Sequence, residues 1–231
     1  RSSAASDVYK RQALPLAQGV KMANKDLTVI ASGGDGDGYA IGMGHTIHAL
    51  RRNMNMTYIV MDNQIYGLTK GQTSPSSAKG FVTKSTPKGN IEKNVAPLEL
   101  ALSSGATFVA QGFSSDIKAL TKMIEDAIHH DGFSFVNVFS PCVTYNKVNT
   151  YDWFKEHLTS IDDIEGYDIT DKQLAMKTVL DHESLVKGIV YQDTTTPSYE
   201  SQISELEHEA LAKRDIHITE ETFNDLTAQF L

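Results

Sequence analysis

From residue 13 onward, short apolar and β-branched runs alternate with stretches whose apolar positions recur every three or four residues. Strands joined by helices give that pattern, and it predicts an α/β fold with a mostly parallel sheet flanked by helices. Residues 27–31 form the first predicted strand, which runs into the glycine-rich stretch 33–38. A helix is expected over 39–52, where Ile41, His45, His48 and Ala49 fall at helical spacing. The second strand is 56–61, MTYIVM. Residues 62–94 then form a polar loop far longer than the usual connection of about 4–6 residues, and loops of that length often carry function. Pro97 and Gly105 bracket a helix over 98–104, and 107–110 is a third strand. Ser114 or Ser115 is expected to cap a helix whose Ile117, Leu120, Ile124 and Ile128 share one face, ending at Gly132. The fourth strand, 133–139, stops at Pro141, so Cys142 sits at a strand's C-terminal end, where open α/β sheets bind their ligands.

Residues 151–231 read as mostly helical, with an extra strand at 186–191 and a polar turn at 194–198. Glu205, Glu207 and Glu209 read there as a solvated helix face. One domain over 13–155, with an extension at 156–231 packed on it, accounts for the whole pattern. The opening RSSAASDVYKRQ has neither apolar periodicity nor a hydrophobic core segment. Residues 1–12 are therefore expected to be a non-native scar, with native residues missing upstream, and not a signal peptide.

Composition narrows the class. With 231 residues, 40% of them hydrophobic, the chain can bury one sizeable core. A net charge of −8 and the lack of a Lys/Arg cluster argue against nucleic acid as a partner. The longest apolar runs are strand-sized, well short of the roughly 20 residues that span a bilayer, so no membrane association is expected. A single cysteine, Cys142, excludes an internal disulfide framework and suits a reducing cytoplasm.

The candidate chemistry lies in GGDGDGYAIG, residues 33–42, and YIVMDNQIYGLTKGQ, residues 58–72. A strand ending in Gly-Asp-Gly gives a turn in which backbone amides can approach a diphosphate while one carboxylate faces a divalent metal. Asn63, 28 residues after Asp35 and just past the next strand, can add a hard amide oxygen. Parallel neighbouring strands bring the two loops to one sheet edge. A dinucleotide fingerprint would need glycine at 41, where Ile41 stands, and no phosphate-loop motif occurs.

As a pair, the two segments resemble the bipartite thiamine-diphosphate motif. Together with APLELALSSGATFVAQG at 96–112 and SPCVTYN at 140–146, they resemble the β subunit of 2-oxoacid:ferredoxin oxidoreductases. The resemblance implies a thiamine-diphosphate-binding fold, with magnesium held by Asp35, Asn63 and the backbone carbonyl of Ile65. Gly36, Asp37, Gly67 and Leu68 match cofactor-contacting positions, and Cys142 matches a ligand of a 4Fe-4S cluster whose other three cysteines lie upstream. It further implies oxidative decarboxylation of a 2-oxoacid to an acyl-CoA and carbon dioxide, with coenzyme A and ferredoxin as co-reactants and an α subunit as the partner that makes the enzyme whole. The sequence LTKGQ at 68–72 resembles the 2-oxoglutarate or broad 2-oxoacid branch, whereas pyruvate-specific relatives tend to have glycine at the place of Lys70.

Several residues admit a plainer reading. Cys142 is a cluster ligand or a small packed hydrophobe, and Lys70 faces a substrate carboxylate or reaches into solvent. His45 and His48 have no third ligand to make a metal pair, and His129 and His130 suit the exposed carbonyls of a helix end. A non-oxidative thiamine-diphosphate decarboxylase or transketolase-like enzyme would share Asp35 and Asn63 without needing Cys142. A pyruvate-specific β subunit or a non-catalytic fragment would also fit these residues.

Overall fold

The strand FSFVNVF has no exposed position, because both faces of the sheet are covered there. In the computed structural model, which describes residues 13–207, 209–215 and 217–228, this strand is β4 (Phe133–Phe139). The expected scar at 1–12 lies outside the described residues. In chain order β4 follows α1 (Ala13–Ala23), β1 (Ile30–Gly34), α2 (Met43–Arg52), β2 (Met56–Asp62), α3 (Pro97–Ser103), β3 (Phe108–Phe113) and α4 (Ile117–His129). After it come α5 (Tyr151–His157), β5 (Thr159–Ser160), α6 (Lys172–Asp181), β6 (Val186–Gln192) and α7 (Glu220–Ala228).

The six strands form one sheet in the order β1-β2-β4-β3-β6-β5. β1, β2, β4 and β3 are parallel, whereas β6 runs antiparallel to β3 and β5 follows β6. The main core lies on one face, where Leu14, Leu50, Leu98, Leu102, Ala175 and Val179 pack on the sheet. α4 covers the other face through Met123 and Ala127. α5 closes one end, with Phe154 stacked on Phe139 at a centroid distance of 4.5 Å.

Several boundaries differ from expectation for local reasons. β1 lies three residues further along, since a turn at 25–27 precedes it and Lys21 Nζ donates to the Leu27 carbonyl at 2.9 Å. The ladder then carries the strand through both glycines, with Gly34 opposite Met61. The helix expected over 39–52 is interrupted. Residues Asp37–Ile41 form a π-helical turn, with Gly42 N donating to Asp37 O at 3.0 Å, before α2 starts at Met43. The wider turn accommodates Tyr39, which is buried and donates through its hydroxyl to Asn137 Oδ1 at 2.7 Å.

β3 extends to Phe113, beyond the expected end at 110. α4 is capped by Asp116, whose side chain accepts from Ala119 N, instead of by Ser114 or Ser115. Its buried face is centred on Met123 and Ala127, leaving Ile117 74% exposed. The extension supplies helical segments as expected, and β6 covers the predicted strand. Asp193 organises the polar turn by accepting from Thr195 and Thr196. Glu205 and Glu207 are solvated as expected, on a short 3-10 turn anchored by buried Leu206.

Candidate functional site

Parallel register decides what meets at the sheet edge. Gly34 pairs with Met61, and Asp62 pairs with Phe139, so the chain leaves β1 at Asp35 and β2 at Asn63 on the same edge. The segment after β4 leaves there too, with Ser140 N donating to the Asp62 carbonyl at 2.8 Å. Asp35, Asn63 and Cys142 therefore converge because three neighbouring parallel strands end together.

Asp35 is almost fully buried. Its Oδ2 accepts from the hydroxyls of Ser74 and Ser76, the latter at 2.6 Å. Ser76 Oγ also lies 2.7 Å from Asp62 Oδ1. One hydroxyl hydrogen cannot serve two carboxylates, so the second contact is made when a carboxyl group carries the proton. Burial raises Asp35 above the usual carboxylate range, against the hydrogen bonds from Ser74 and Ser76. Asp62 is raised as well, first by burial and then by the charge of Asp35. Among the described residues neither carboxylate takes part in an ion pair.

The loop after β2 turns sharply, with Gln64 at φ 58°. Asn63 Oδ1 accepts from Ile65 N at 3.1 Å, and the Ile65 carbonyl accepts from Gly67 N at 3.0 Å. Each of those oxygens keeps a second lone pair. Ser77 Oγ donates to the Gln64 carbonyl at 2.6 Å and accepts from Ser74 N at 2.8 Å, tying this loop to the serines on Asp35. A hard divalent cation fits the chemistry: a buried carboxylate without a counter-charge, an amide oxygen and a backbone carbonyl. Among the described residues no cluster of three or more His, Cys, Asp or Glu could hold a metal, so any such site draws on amide and backbone oxygens.

The other expected positions divide. A Cβ on Gly36 would lie 2.1 Å from Tyr66 Cε1, so the Gly-Asp-Gly turn is pressed against the second loop. Asp37 Oδ2 accepts from Gly34 N at 3.2 Å and closes that turn. A Cβ on Gly67 would sit 3.5 Å from Cys142 Sγ, which places the half-buried thiol over this backbone. Leu68 and Lys70 are exposed, Lys70 at φ 76° in a turn closed by the Tyr66–Gln72 bridge. Of the histidines, His48 and His129 are exposed, while His130 is buried against Thr107.

Sequence reasoning missed Asp62, Tyr66 and the three serines. Only the adjacency of Asp62 to Asn63 hinted at the first. A cleft of about 490 Å³ opens beside Asp62, walled by Ser76, Gln64, Gln111, Asn137 and Trp153.

Comparison with known proteins bears on this arrangement. Residues 12–138 match the family model of the thiamine pyrophosphate enzymes' C-terminal TPP-binding domain, and residues 142–208 match that of the C-terminal part of the pyruvate ferredoxin oxidoreductase beta chain. The 2-oxoacid:ferredoxin oxidoreductase subunit beta of Sulfolobus sp is 42% identical over 202 residues, covering 83% of this chain and 66% of its own length. The subunit beta of Saccharolobus solfataricus is 41% identical over 204 residues, covering 84% and 67%. The chain thus spans about two thirds of these relatives. A solved 2-oxoglutarate:ferredoxin oxidoreductase from Magnetococcus marinus, with 2-oxoglutarate, coenzyme A and succinyl-CoA bound, superposes with a TM-score of 0.84 at 35% identity. That match covers 94% of this chain and 73% of the solved one.

Proposed function

The chain belongs to the β subunits of the 2-oxoacid:ferredoxin oxidoreductases, and from that premise we propose that it is the thiamine-diphosphate-binding subunit of such an enzyme. The reaction is oxidative decarboxylation of a 2-oxoacid with coenzyme A to an acyl-CoA and carbon dioxide, with the electrons passing to ferredoxin. 2-Oxoglutarate is the favoured substrate, and the enzyme is made whole by an α subunit. Among the described residues no helix is long and apolar enough to cross a membrane, and we place the enzyme in the cytoplasm.

The observation that carries this reading is the meeting of the Asp35 turn, the Asn63–Ile65 loop and the Cys142 thiol at one sheet edge. Asp35, Asn63 Oδ1 and the Ile65 carbonyl would hold magnesium, and Gly36 and Asp37 would lie against the diphosphate with Gly67 and Leu68 on the facing loop. Thiamine diphosphate supplies, when bound, the nucleophilic carbon and the electron sink for decarboxylation. The protein's share is orientation: the parallel strands fix the spacing of the two loops, and Ser74 and Ser76 hold the buried Asp35 carboxylate. Cys142 would be one thiolate of a 4Fe-4S cluster, which needs further cysteines beyond this chain's single one.

Lys70 supports the substrate preference. It stands exposed on a tight turn of the cofactor loop, from where an ammonium can meet the distal carboxylate that 2-oxoglutarate has and pyruvate lacks. A charge-assisted hydrogen bond there is worth roughly 1.5–3 kcal/mol, or about tenfold to a hundredfold in specificity.

Co-expression with the α partner tests the reading. The enzyme should bind thiamine diphosphate only with magnesium and reduce viologen when given a 2-oxoacid and coenzyme A. Asp35→Ala should abolish the binding measured by calorimetry; unchanged binding would reject the metal site. Lys70→Ala should lower kcat/KM for 2-oxoglutarate more than for pyruvate. Equal losses would assign it to the shared carboxylate, and no loss would remove it from the site.

A further inference from the structure

We infer that Ser74 and Ser76 position the metal-binding carboxylate of Asp35, an inference that rests on reading Asp35, Asn63 and Ile65 as the magnesium donors. Both hydroxyls converge on one atom, Asp35 Oδ2. Asp35, Ser74 and Ser76 are all buried, at 3%, 6% and 3% exposure, so water does not compete for these contacts. Two donors on one oxygen fix rotation of the carboxylate about its Cβ–Cγ bond and leave the other oxygen outside the serine pair for a metal. They also stabilise the charged form that a metal ligand requires.

The same short segment grips the other donors. Ser77 Oγ bonds the carbonyl of Gln64, the residue between Asn63 and Ile65, and accepts from Ser74 N. Ser76 adds the contact with Asp62, the last residue of β2. Residues 74–77 therefore tie the carboxylate leaving β1 to the oxygens leaving β2, across the gap where a metal would sit. From outside, Asn90 Nδ2 donates to the Ser77 carbonyl at 3.1 Å and holds the segment down without touching a carboxylate. Removing such an outer partner of a metal ligand typically weakens metal affinity about 10–100-fold.

The test uses manganese as the probe, titrated into the metal-free αβ enzyme at saturating thiamine diphosphate and followed by the spin-resonance signal of free manganese. Ser76→Ala and Ser74→Ala should each weaken manganese binding by about 10–100-fold, and Ser76→Thr, which keeps the hydroxyl, should restore it. Asn90→Ala should loosen the loop yet leave the affinity near wild type. Unchanged affinity in both alanine variants would overturn the inference, and so would an equal loss in Asn90→Ala, because the effect would then belong to loop packing. Asp35→Ala separates the two levels. If it abolishes binding while the serine variants do not weaken it, only the serine role falls; if it retains full affinity, the underlying metal reading falls with it.

Discussion

Replacing Gly36 with alanine isolates one steric contact between the turn after β1 and the loop after β2. Gly36 has φ −65° and ψ −26°, an ordinary right-handed conformation, so alanine brings no backbone strain and loses less entropy on folding than glycine. The whole penalty must come from the added methyl, which would lie 2.1 Å from Tyr66 Cε1, 2.8 Å from Cζ and 3.0 Å from Cδ1. Carbon atoms pack best at about 3.5–4.0 Å, so relief requires a displacement of more than about 1 Å. The ring can leave its rotamer or carry the loop with it. Overpacking of this kind costs about 1–3 kcal/mol, and a misplacement of about 1 Å in a positioned group can cost around a hundredfold in function. Gly36→Ala should therefore lower stability in urea by about 2 kcal/mol and weaken magnesium-dependent thiamine-diphosphate binding, measured by calorimetry, by roughly a hundredfold. Removing the obstacle should reverse much of the loss: in Tyr66→Ala protein the glycine substitution should be nearly neutral, with a coupling energy of about 1–3 kcal/mol between the sites. Wild-type stability and affinity in Gly36→Ala would refute the close approach, as would an equal penalty with and without the Tyr66 ring.

Three other residues give separate tests. Asn53 ends α2 at φ 53°, accepts from Thr107 Oγ1 at 2.6 Å and Phe133 N at 2.8 Å, and donates to the Pro197 carbonyl at 3.1 Å. Asn53→Ala strands the buried Phe133 N–H, removes one partner of the Thr107 hydroxyl and puts alanine in a left-handed conformation, and should cost about 3–5 kcal/mol by urea unfolding; a loss below about 1 kcal/mol would show that the network is not a staple. Burial holds His130 below its ordinary value, so as the pH falls the unfolded chain takes up this proton before the folded one. Stability is then fully present above pH 6.5 and falls as the pH drops below it, and His130→Gln should flatten that decline in denaturation curves between pH 8 and 5. Cys142→Ser in the assembled enzyme should deplete iron and sulfide while sparing thiamine-diphosphate binding, and a complete redox-active cluster in that variant would reduce the thiol to packing.

The sheet was legible because its strands announce themselves. MTYIVM and FSFVNVF lie within a residue of where they were expected, since a central parallel strand is apolar on both faces and periodicity is not needed to see it. β1 was harder. Its last two residues are glycines, which have weak strand preference, and they join the ladder only because Val60 and Met61 stand opposite. The π turn was invisible for a related reason. Ile41, His45, His48 and Ala49 do fall at helical spacing, but what widens the turn is Tyr39 reaching Asn137, 98 positions away. Periodicity records the local chain and not the partner across the core.

The site shows the same division more sharply. Asp35 and Asn63 could be picked out because Gly-Asp-Gly is demanding backbone chemistry and because the residues just past two adjacent parallel strands must be neighbours, whereas Ile65 entered only through the family resemblance. Ser74, Ser76 and Ser77 sit in a loop that is polar throughout, and nothing in SPSS distinguishes a serine on a buried carboxylate from one in water. Their role depends on the loop folding back over β1 and β2, a path on which Val95 N donates to the Pro75 carbonyl at 2.9 Å. A long loop is costly to order, and within 62–94 the hydroxyls of Ser74, Ser76 and Ser77 hydrogen-bond to Asp35, Asp62 and the Gln64 carbonyl. Its length is then explained by geometry: the chain must leave β2, turn at Gln64, form the Tyr66–Gln72 turn over Cys142, and return with its serines to Asp35 before α3 can begin. A connection of the usual length could join β2 to α3, but it could not bring a hydroxyl to both carboxylates.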